Sequence, residues 1–490
     1  MHRLIHQFLL SRGRAMGIAV ATALTLVATL AFSVLAQAQT ATTSAAAATA
    51  IDPGVRGGPA GAGGPIAGLT DDQLAFFYGG QANFGEAEKL DDGLGPRFNL
   101  DGCAGCHAQP AIGGTSPAVN PEVTVATAFS AQNTVPSFIT VNGPVREARF
   151  VKNADGTPDG GVHDLFVISG RNDGSADASA CTITQDDFAT QVANKNVIFR
   201  IPTPVFGLGL VEEIDDATLR ANIAANNSVK VNLGILGHFN VSGAANTNGN
   251  DGTITRFGWK AQNKSGLLFA GEAYNVEMGI SNEIFQTERE ETATCQFASV
   301  PNSIQNTASI DAATPVEAAL AATPDIQNFA NFQRMAAPPI PVSPYTGANG
   351  PVTAASIARG RQQFMNVGCY LCHTPTLTTN SHTSIGALAG QAVNAFSDFA
   401  VHGMGPGLAD GVVQGGAKGD EFRTAPLWGL GQRIFLLHDG RTMDLRTAIN
   451  AHKSARNTQY PASEANGVVA RFNALSSQNM QDLLNFLRSL

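Results

Sequence analysis

CAGCH at residues 103–107 and CYLCH at residues 369–373 are two copies of one five-residue pattern, 266 positions apart. In each copy two cysteines lie three positions apart, and a histidine follows the second. Two thiols on one helical turn can form thioethers with the vinyl groups of a single haem, and the adjacent histidine can bind the iron. A zinc site would need further paired ligands close by, and a redox dithiol has no use for the histidine. The pattern therefore predicts two covalently bound c-type haems, held by Cys103, Cys106, His107, Cys369, Cys372 and His373.

Residues 1–38 have the features of a secretory signal peptide. Three arginines precede an almost wholly apolar run of 19 residues at 17–35, and AQA at 36–38 is a small-x-small cleavage site. The run could span a bilayer if it stayed uncleaved, so a membrane anchor is the alternative. We expect a periplasmic or secreted protein without stable membrane insertion after cleavage, because attachment of c-type haem takes place outside the cytoplasm.

The formal net charge is −9, and it becomes −12 once the three arginines of the signal peptide are removed. An acidic surface disfavours nucleic acid and anionic membranes as ligands and favours a basic redox partner protein. Two further cysteines, Cys181 and Cys295, lie outside the repeated pattern. In an oxidising compartment we expect them to form a disulfide, with two separately buried thiols as the alternative.

The composition divides the rest of the chain into four parts. We expect a disordered linker at 39–65, an N-terminal haem domain with insertions at 66–295, a connecting segment at 296–350 and a C-terminal cytochrome c-like haem domain at 351–490. The predicted fold class is mainly α, with two cytochrome c-like haem domains, long loop-rich insertions and a few short strands.

Helix signals flank both cysteine patterns. Thr70 begins a predicted helix that ends at Gly79-Gly80, and Thr353 begins another over 354–365. A terminal helix starts at Ser476 or Ser477, and its apolar residues recur at helical spacing up to Leu490. Short helical and β-like runs lie elsewhere: a helix at 326–335 and strands at 165–168 and 229–235.

A second internal repeat follows each cysteine pattern. FRIPTPVFGLG at 199–209 matches FRTAPLWGLG at 422–431, at an offset of 222 from the proline onward. The chain therefore reads as two divergent copies of one haem domain. Arg200 and Arg423 take equivalent places, where a guanidinium could bind a haem propionate or form a surface ion pair.

Five further segments resemble the di-haem oxidoreductases, a family described as peroxidases or thiol oxidoreductases and distantly related to bacterial di-haem cytochrome c peroxidases. The segments are GPRFN at 95–99, GGTSP at 113–117, RFGWK at 256–260, HGMG at 402–405 and HDGR at 438–441. Because no Cys-x-x-Cys pair is left outside the haem patterns, a thiol oxidoreductase activity finds little support.

The resemblance implies ligands for the second haem. In the peroxidases a His-Asp-Gly segment precedes a helix that ends near the C-terminal haem, whose sixth ligand is usually methionine. Here that helix runs into His452, which we expect to be the sixth ligand beside His373, with Met404 as the rival. An imidazole in place of a thioether would lower the reduction potential of this haem.

For the first haem, the residues leave the distal side open. His163 and His238 are candidate ligands, and without either the iron would be five-coordinate and able to bind peroxide. Peroxide reduction also needs an acid or base, for which Glu212 and Glu213 are candidates, with an ordinary acidic turn before a helix at 215–223 as the alternative.

In relatives a tryptophan between the haems assists electron transfer. Trp259 is the candidate for this role, and Trp428 is the alternative, although either could serve core packing alone. By resemblance we expect an oxidoreductase whose C-terminal haem passes electrons to a reactive N-terminal haem, which reduces peroxide or a similar small oxidant. The alternatives are a di-haem cytochrome that only relays electrons, and an oxygenase acting on a hydrophobic polymer.

Overall fold

The computed structural model describes residues 49–174, 176–241, 253–306, 308 and 312–490. It is 34% helical and 12% strand, which confirms a mainly α fold with a few short strands. Residues 50–490 form one unit, so the division into two cytochrome c-like domains stays a prediction. The α-helices are Asp71–Gly85, Cys103–Cys106, Glu122–Val125, Phe188–Ala193, Leu208–Glu212, Asp216–Ala224, Asn227–Leu233, Gly266–Met278, Pro315–Ala322, Asp325–Met335, Ala354–Val367, Leu445–Ala451, Asn466–Asn473 and Ser477–Leu487.

The strands are short and mostly pair in twos. An antiparallel sheet of three strands has Glu147–Phe150 at its centre, with Val162–His163 and Val197–Arg200 on either side. The antiparallel two-stranded pairs are Arg97–Phe98 with Phe166–Val167, Asn172–Asp173 with Ala176–Asp177, Tyr345–Gly347 with Gly350–Val352, Leu377–Thr378 with Ala392–Val393, and Val401–Gly403 with Glu421–Arg423.

A crossed pair of helices supports the first cysteine segment. Asp71–Gly85 begins at the predicted Thr70, whose side chain and that of Gln73 form a reciprocal capping box. The predicted end at Gly79-Gly80 is wrong, because Gly80 lies at the crossing with Asp325–Met335. A Cβ on Gly80 would collide with the carbonyl oxygen of Asn328, so glycine permits the close approach.

A second crossed pair, of the same construction, supports the second cysteine segment. Ala354–Val367 begins after Thr353 and the terminal helix Ser477–Leu487 begins after Ser476, as predicted. Gly360 lies at their crossing, where a Cβ would collide with the carbonyl oxygen of Asp482. Helix Asp325–Met335, which falls within the predicted connecting segment, thus takes in the first half the place that the terminal helix takes in the second.

Two other expectations differ from the structure. The strand predicted at 165–168 is present as Phe166–Val167, but 229–235 is helical, since Asn227–Leu233 is closed by Gly234 in the left-handed conformation. The predicted disordered linker is wrong from Ala50 onward. Asp52 is buried and accepts two hydrogen bonds from the guanidinium of Arg488, so this segment is anchored to the end of the chain.

The disulfide between Cys181 and Cys295 is confirmed. It links the 3-10 turns Ala178–Ala180 and Ala293–Cys295 across 114 positions of the chain. The predicted signal peptide lies outside the described residues. Within the described ranges, no helix is both long and apolar enough to cross a membrane.

Candidate functional site

The first cavity surrounds the CAGCH segment. Cys103 and Cys106 form one helical turn and, with His107, line this cavity. The Nδ1 of His107 lies 2.9 Å from the carbonyl oxygen of Gly114. Because a carbonyl can only accept, the Gly114 contact places a proton on Nδ1, and the backbone of Thr203 also lies within hydrogen-bonding reach of the ring. Burial lowers the pKa of His107 to about 4, which leaves a neutral imidazole suited to bind a metal.

The second cavity repeats this arrangement around the CYLCH segment. Cys369, Cys372 and His373 line this second cavity. The Nδ1 of His373 lies 3.0 Å from the carbonyl oxygen of Phe396, so the ring proton is on Nδ1 and the Nε2 of His373 is free. Burial, assisted by the ring of His452, lowers the pKa of His373 to about 4.

Both candidates for a sixth ligand line the second cavity. The Nδ1 of His452 lies 2.8 Å from the carbonyl oxygen of Ala448, one turn earlier, so its Nε2 is also free. Burial lowers the pKa of His452, which favours the neutral ring. Met404 is half-buried on the wall of the same cavity. The cavity therefore offers the neutral imidazoles of His373 and His452, with a thioether as a further donor.

Two buried arginines also line the second cavity. Arg423 and Arg433 are each 8% exposed. Burial lowers the pKa of both to about 10, with added repulsion from neighbouring arginines. In the part of the chain that the structure describes, neither guanidinium forms an ion pair with a carboxylate. Buried unpaired cations are costly, so these two side chains favour an anionic group in the cavity.

Arg200 takes the corresponding place in the first cavity but is already paired. Its guanidinium lies 2.8 Å from the carboxylate of Asp410 and donates to the side chain of Gln414 at 2.6 Å. The Nε of Arg200 is buried and has no hydrogen-bond partner among the described residues. One donor is therefore left for a further acceptor in the cavity.

Four glutamates distinguish the first cavity from the second. Burial raises the pKa of three of them: Glu122 to about 8, Glu272 by a smaller amount and Glu277 well above its usual value. Glu147 differs: burial raises its pKa, but Arg149, the hydrogen bond from Glu277 and the charge of Arg200 together outweigh burial, and the net pKa is lowered. The four come from separate segments and are Glu122, Glu147, Glu272 and Glu277.

Two of these carboxyl groups are neighbours. Glu147 and Glu277 hydrogen-bond to each other. Arg149 donates to Glu147 at 2.6 Å, and Asn99 donates to Glu277 at 2.7 Å. The guanidinium favours the ionised form of Glu147, and burial favours the protonated form of Glu277. The first cavity thus holds a proton on a carboxyl group beside a carboxylate.

Trp259 lines both cavities. Its indole N–H donates to the carbonyl oxygen of Ile201 at 2.9 Å, and its ring lies edge-on to that of His438, with centroids 6.2 Å apart. Trp428 is buried against Gly207 and lines neither cavity. Of the two tryptophans, the structure brings Trp259 to the position between the cavities.

The chain matches the family described as "Di-haem oxidoreductase, putative peroxidase" over residues 148–490. It belongs to the di-haem oxidoreductase family. The match includes the second cysteine segment and begins after the first, and the family implies two haems. No curated protein matches the chain.

The two cavities of this di-haem oxidoreductase fit the cofactor. Each presents two thiols and the imidazole of the histidine that follows them. The second also presents the unpaired guanidinium groups of Arg423 and Arg433, which suit propionates. The first presents the orphaned Nε of Arg200.

The predicted distal acids of the oxidoreductase lie elsewhere. Glu212 forms a bidentate ion pair with Arg334, at 2.6 and 3.1 Å, and Glu213 accepts from the side chain of Asn380 at 3.0 Å. Neither side chain lines either cavity. Their alternative interpretation, an acidic turn before a helix, matches the helix Asp216–Ala224.

The structure does not bring the two predicted distal histidines to the first cavity either. His163 stacks on Phe150, and its ring nitrogens lie 2.7 Å from Asp186 and 2.9 Å from Asp159. His238 is half-exposed, with Nε2 at 3.0 Å from Glu421. Among the described residues that line the first cavity, His107 is the one histidine.

His402, the first residue of the HGMG segment, is buried and lines the second cavity. Its nitrogens lie 2.8 Å from Glu464 and 3.1 Å from Asp398, and its ring is 3.8 Å from the sulfur of Cys372. The ligand atoms of Cys372, Asp398 and His402 lie within 4.8 Å of one another, close enough to hold a metal ion. However, both ring nitrogens already face carboxylates and the cysteine belongs to the haem pattern, so the cluster reads as a buried ion network.

Sequence reasoning missed the carboxylates of the first cavity and Arg433. Glu147 could have been found through its strand, because it stands opposite Arg200 in the sheet. Glu272 and Glu277 lie on the helix Gly266–Met278, more than 120 positions later in the chain, and no local pattern links them to Glu147.

Proposed function

We propose that this protein is a secreted di-haem c-type enzyme, in which electrons enter at the second cavity and reduce peroxide or a similar small oxidant at the first. The observation that carries the proposal is the unequal lining of the two cavities. The second presents His373 and His452, each with a free Nε2, whereas the first presents His107 and a set of carboxyl groups.

The haems would be attached through the four motif cysteines, Cys103, Cys106, Cys369 and Cys372. Bound haem supplies the redox-active iron: six-coordinate iron suits electron transfer, and an open coordination position suits binding of an oxidant. His452 would close the second site. Its ring is held by the carbonyl of Ala448 at the end of a helix, which fixes the direction of its free nitrogen.

The chain would supply protons at the first site. Reduction of hydrogen peroxide to two molecules of water consumes two electrons and two protons. The carboxyl of Glu277 can donate the first proton, and Glu147 can relay a second from solvent through the bond between the two side chains. Arg149 keeps Glu147 ionised and therefore able to accept that proton.

Trp259 would shorten the path between the cavities. Its backbone carbonyl accepts a hydrogen bond from Arg423 N at 2.9 Å, and its indole N–H is fixed on Ile201. Both contacts hold the ring where it lines the two cavities. The acidic surface would favour a basic redox protein as the electron donor.

The test uses the protein purified with both haems, a chemical reductant and hydrogen peroxide. We expect reductant-dependent peroxide consumption that falls by about 10²-fold or more in Glu147→Gln, which cannot accept a proton. Glu291→Gln, at an exposed position, is the matched control and should keep the wild-type rate. Normal haem spectra without any peroxide turnover would contradict the proposal and favour the electron-relay alternative.

The variant Trp259→Phe distinguishes electron transfer between the haems from the reaction with peroxide at the first site. It should slow electron transfer between the haems, as observed by stopped-flow absorbance, without changing peroxide binding at the first site. Unchanged transfer would remove Trp259 from the path.

A further inference from the structure

A layer of buried side chains lies between the two cavities. Its polar part is a triad of Arg200, Asp410 and Lys260, which are 3%, 4% and 0% exposed. Arg200 lines the first cavity and binds one oxygen of Asp410 at 2.8 Å. The ammonium of Lys260 binds the other oxygen at 2.9 Å. Two cations thus share one carboxylate, and the triad carries a net positive charge.

Lys260 is directed toward the second cavity. Its ammonium lies 4.1 Å from the ring centroid of Phe422, which lines that cavity. On Phe422 the ring of His438 stacks with centroids 4.3 Å apart, and His438 also lines the second cavity. One further contact, to the carbonyl oxygen of Lys418 at 2.8 Å, fixes the ammonium in place.

Stability does not account for this buried ammonium. Desolvation of a lysine is costly, and here its one carboxylate partner is already neutralised by Arg200. Asp420 also attracts Lys260, more weakly than Asp410 does. An apolar side chain of similar length would fill the same space without that cost, which points to a use for the charge itself.

We propose that the Lys260 ammonium is a fixed positive charge that raises the reduction potential of the haem in the second cavity. The inference rests on the proposed function, because it takes the iron there to be bound by His373 and His452. A second imidazole lowers the potential relative to a methionine, and a nearby cation opposes this by stabilising the added electron. For a separation on the order of 10 Å and an effective dielectric constant of about 20, one unit charge would change the equilibrium constant roughly tenfold.

The experiment is a spectroelectrochemical titration of the protein with both haems bound. Lys260→Met removes the charge and leaves Asp410 paired with Arg200, so no buried carboxylate is orphaned. We expect the potential of the low-spin haem to fall by about 59 mV, the equivalent of tenfold for one electron. Lys260→Arg keeps the charge and should stay near the wild-type potential.

Asp410→Asn provides the opposite change. It leaves both cations without their carboxylate and should raise the same potential. A purely structural role would disturb the site similarly in both variants, so shifts in one common direction would overturn the inference. The matched control is Lys418→Met, at a side chain that is 73% exposed, and it should leave the potential unchanged.

A shift in Lys260→Met no larger than that in Lys418→Met would also overturn the inference. The potentials are measured without peroxide. If the two variants shift the potential in opposite directions but the protein does not reduce peroxide, the role of the Lys260 charge is supported and the proposed peroxidase function is contradicted. If the protein reduces peroxide but the potentials do not shift, the peroxidase function is supported and the role of the charge is contradicted.

Discussion

The two halves of the molecule share one frame but differ in the walls of their cavities. In each half a helix carries a glycine at a close crossing and a phenylalanine one turn later, Gly80 and Phe84 in the first, Gly360 and Phe364 in the second. Each is followed by a cysteine segment whose histidine is fixed by a backbone carbonyl. The difference therefore lies in the side chains that line the cavities: the first has carboxyl groups and arginines that are paired with carboxylates, and the second has further imidazoles and arginines without such pairs.

This contrast indicates how one duplicated unit can support two roles. A second imidazole closes a coordination position and favours electron transfer, while buried carboxyl groups beside an open position favour proton-coupled reduction.

The largest expected effect on stability comes from the close helix crossings that the two halves share. Gly80→Ala and Gly360→Ala each force a methyl group against a backbone carbonyl that cannot move freely. We expect each to lower the free energy of unfolding by about 3 kcal/mol or more, despite the better helix propensity of alanine. Chemical denaturation measures this.

Gly386→Ala is the control, since a Cβ there meets no atom within 4 Å. It should change stability by less than about 0.5 kcal/mol. Wild-type stability in Gly360→Ala would show that the two crossings are not equivalent.

The next effect concerns the second cavity alone. His452→Ala should convert the low-spin haem to a high-spin or Met404-bound form and raise its potential, while the first haem keeps its spectrum. His382→Ala, at an exposed histidine, should alter neither haem. Absorbance and potential measurements on both variants decide the matter, and an unchanged spectrum in His452→Ala would assign the ligand to another residue.

The third effect is on pH dependence and concerns the first cavity. Burial raises the pKa of Glu122 from 4.5 to about 8, so the folded protein holds this proton more tightly than the unfolded chain. Its contribution is therefore fully present below about pH 4.5 and is lost as the pH rises toward 8. Glu122→Gln should abolish this part of the decline and become more stable than the wild type by up to a few kcal/mol at pH 8.

Thermal unfolding between pH 5 and pH 8.5 measures this difference, with Glu291→Gln as the exposed control. Parallel stability curves for Glu122→Gln and the wild type would show that the buried carboxyl does not titrate in this range.

The smallest expected effect on stability comes from the ion pair between Arg334 and Glu212, the residue that the sequence offered as a distal acid. Arg334 and Glu212 are both partly exposed, at 24% and 18%. Arg334→Met should therefore lower the free energy of unfolding by only about 0.5–1 kcal/mol. A loss of several kcal/mol in urea denaturation would show that this pair is a central element of the first half.

Local patterns predicted the parts of the site that are local. The cysteine segments and the capped helices before them could be read directly, because ligand spacing and N-caps are set within a few residues. His452 was placed by the resemblance to the di-haem peroxidases, in which a His-Asp-Gly segment precedes the helix, and the structure puts it on the wall of the second cavity. Glu212 misled because it follows the repeated Gly-Leu-Gly segment in sequence, whereas its side chain turns to Arg334 on another helix.

The rest depends on tertiary contacts. Glu147 and Glu277 are 130 positions apart, and only folding brings their carboxyl groups together. His163 resembled a free histidine in the sequence, but two aspartates occupy its nitrogens. Helix Asp325–Met335, which in the first half takes the place of the terminal helix, lies within residues 296–350, whose composition suggested a connecting segment.

The electron paramagnetic resonance spectrum of the fully oxidised protein tests the central claim most directly. Unequal cavities predict two distinct signals of equal weight: a low-spin signal of bis-imidazole ligation from the second haem and a high-spin signal from the first. Two low-spin haems, or a low-spin signal of histidine–methionine instead of bis-imidazole ligation, would contradict it.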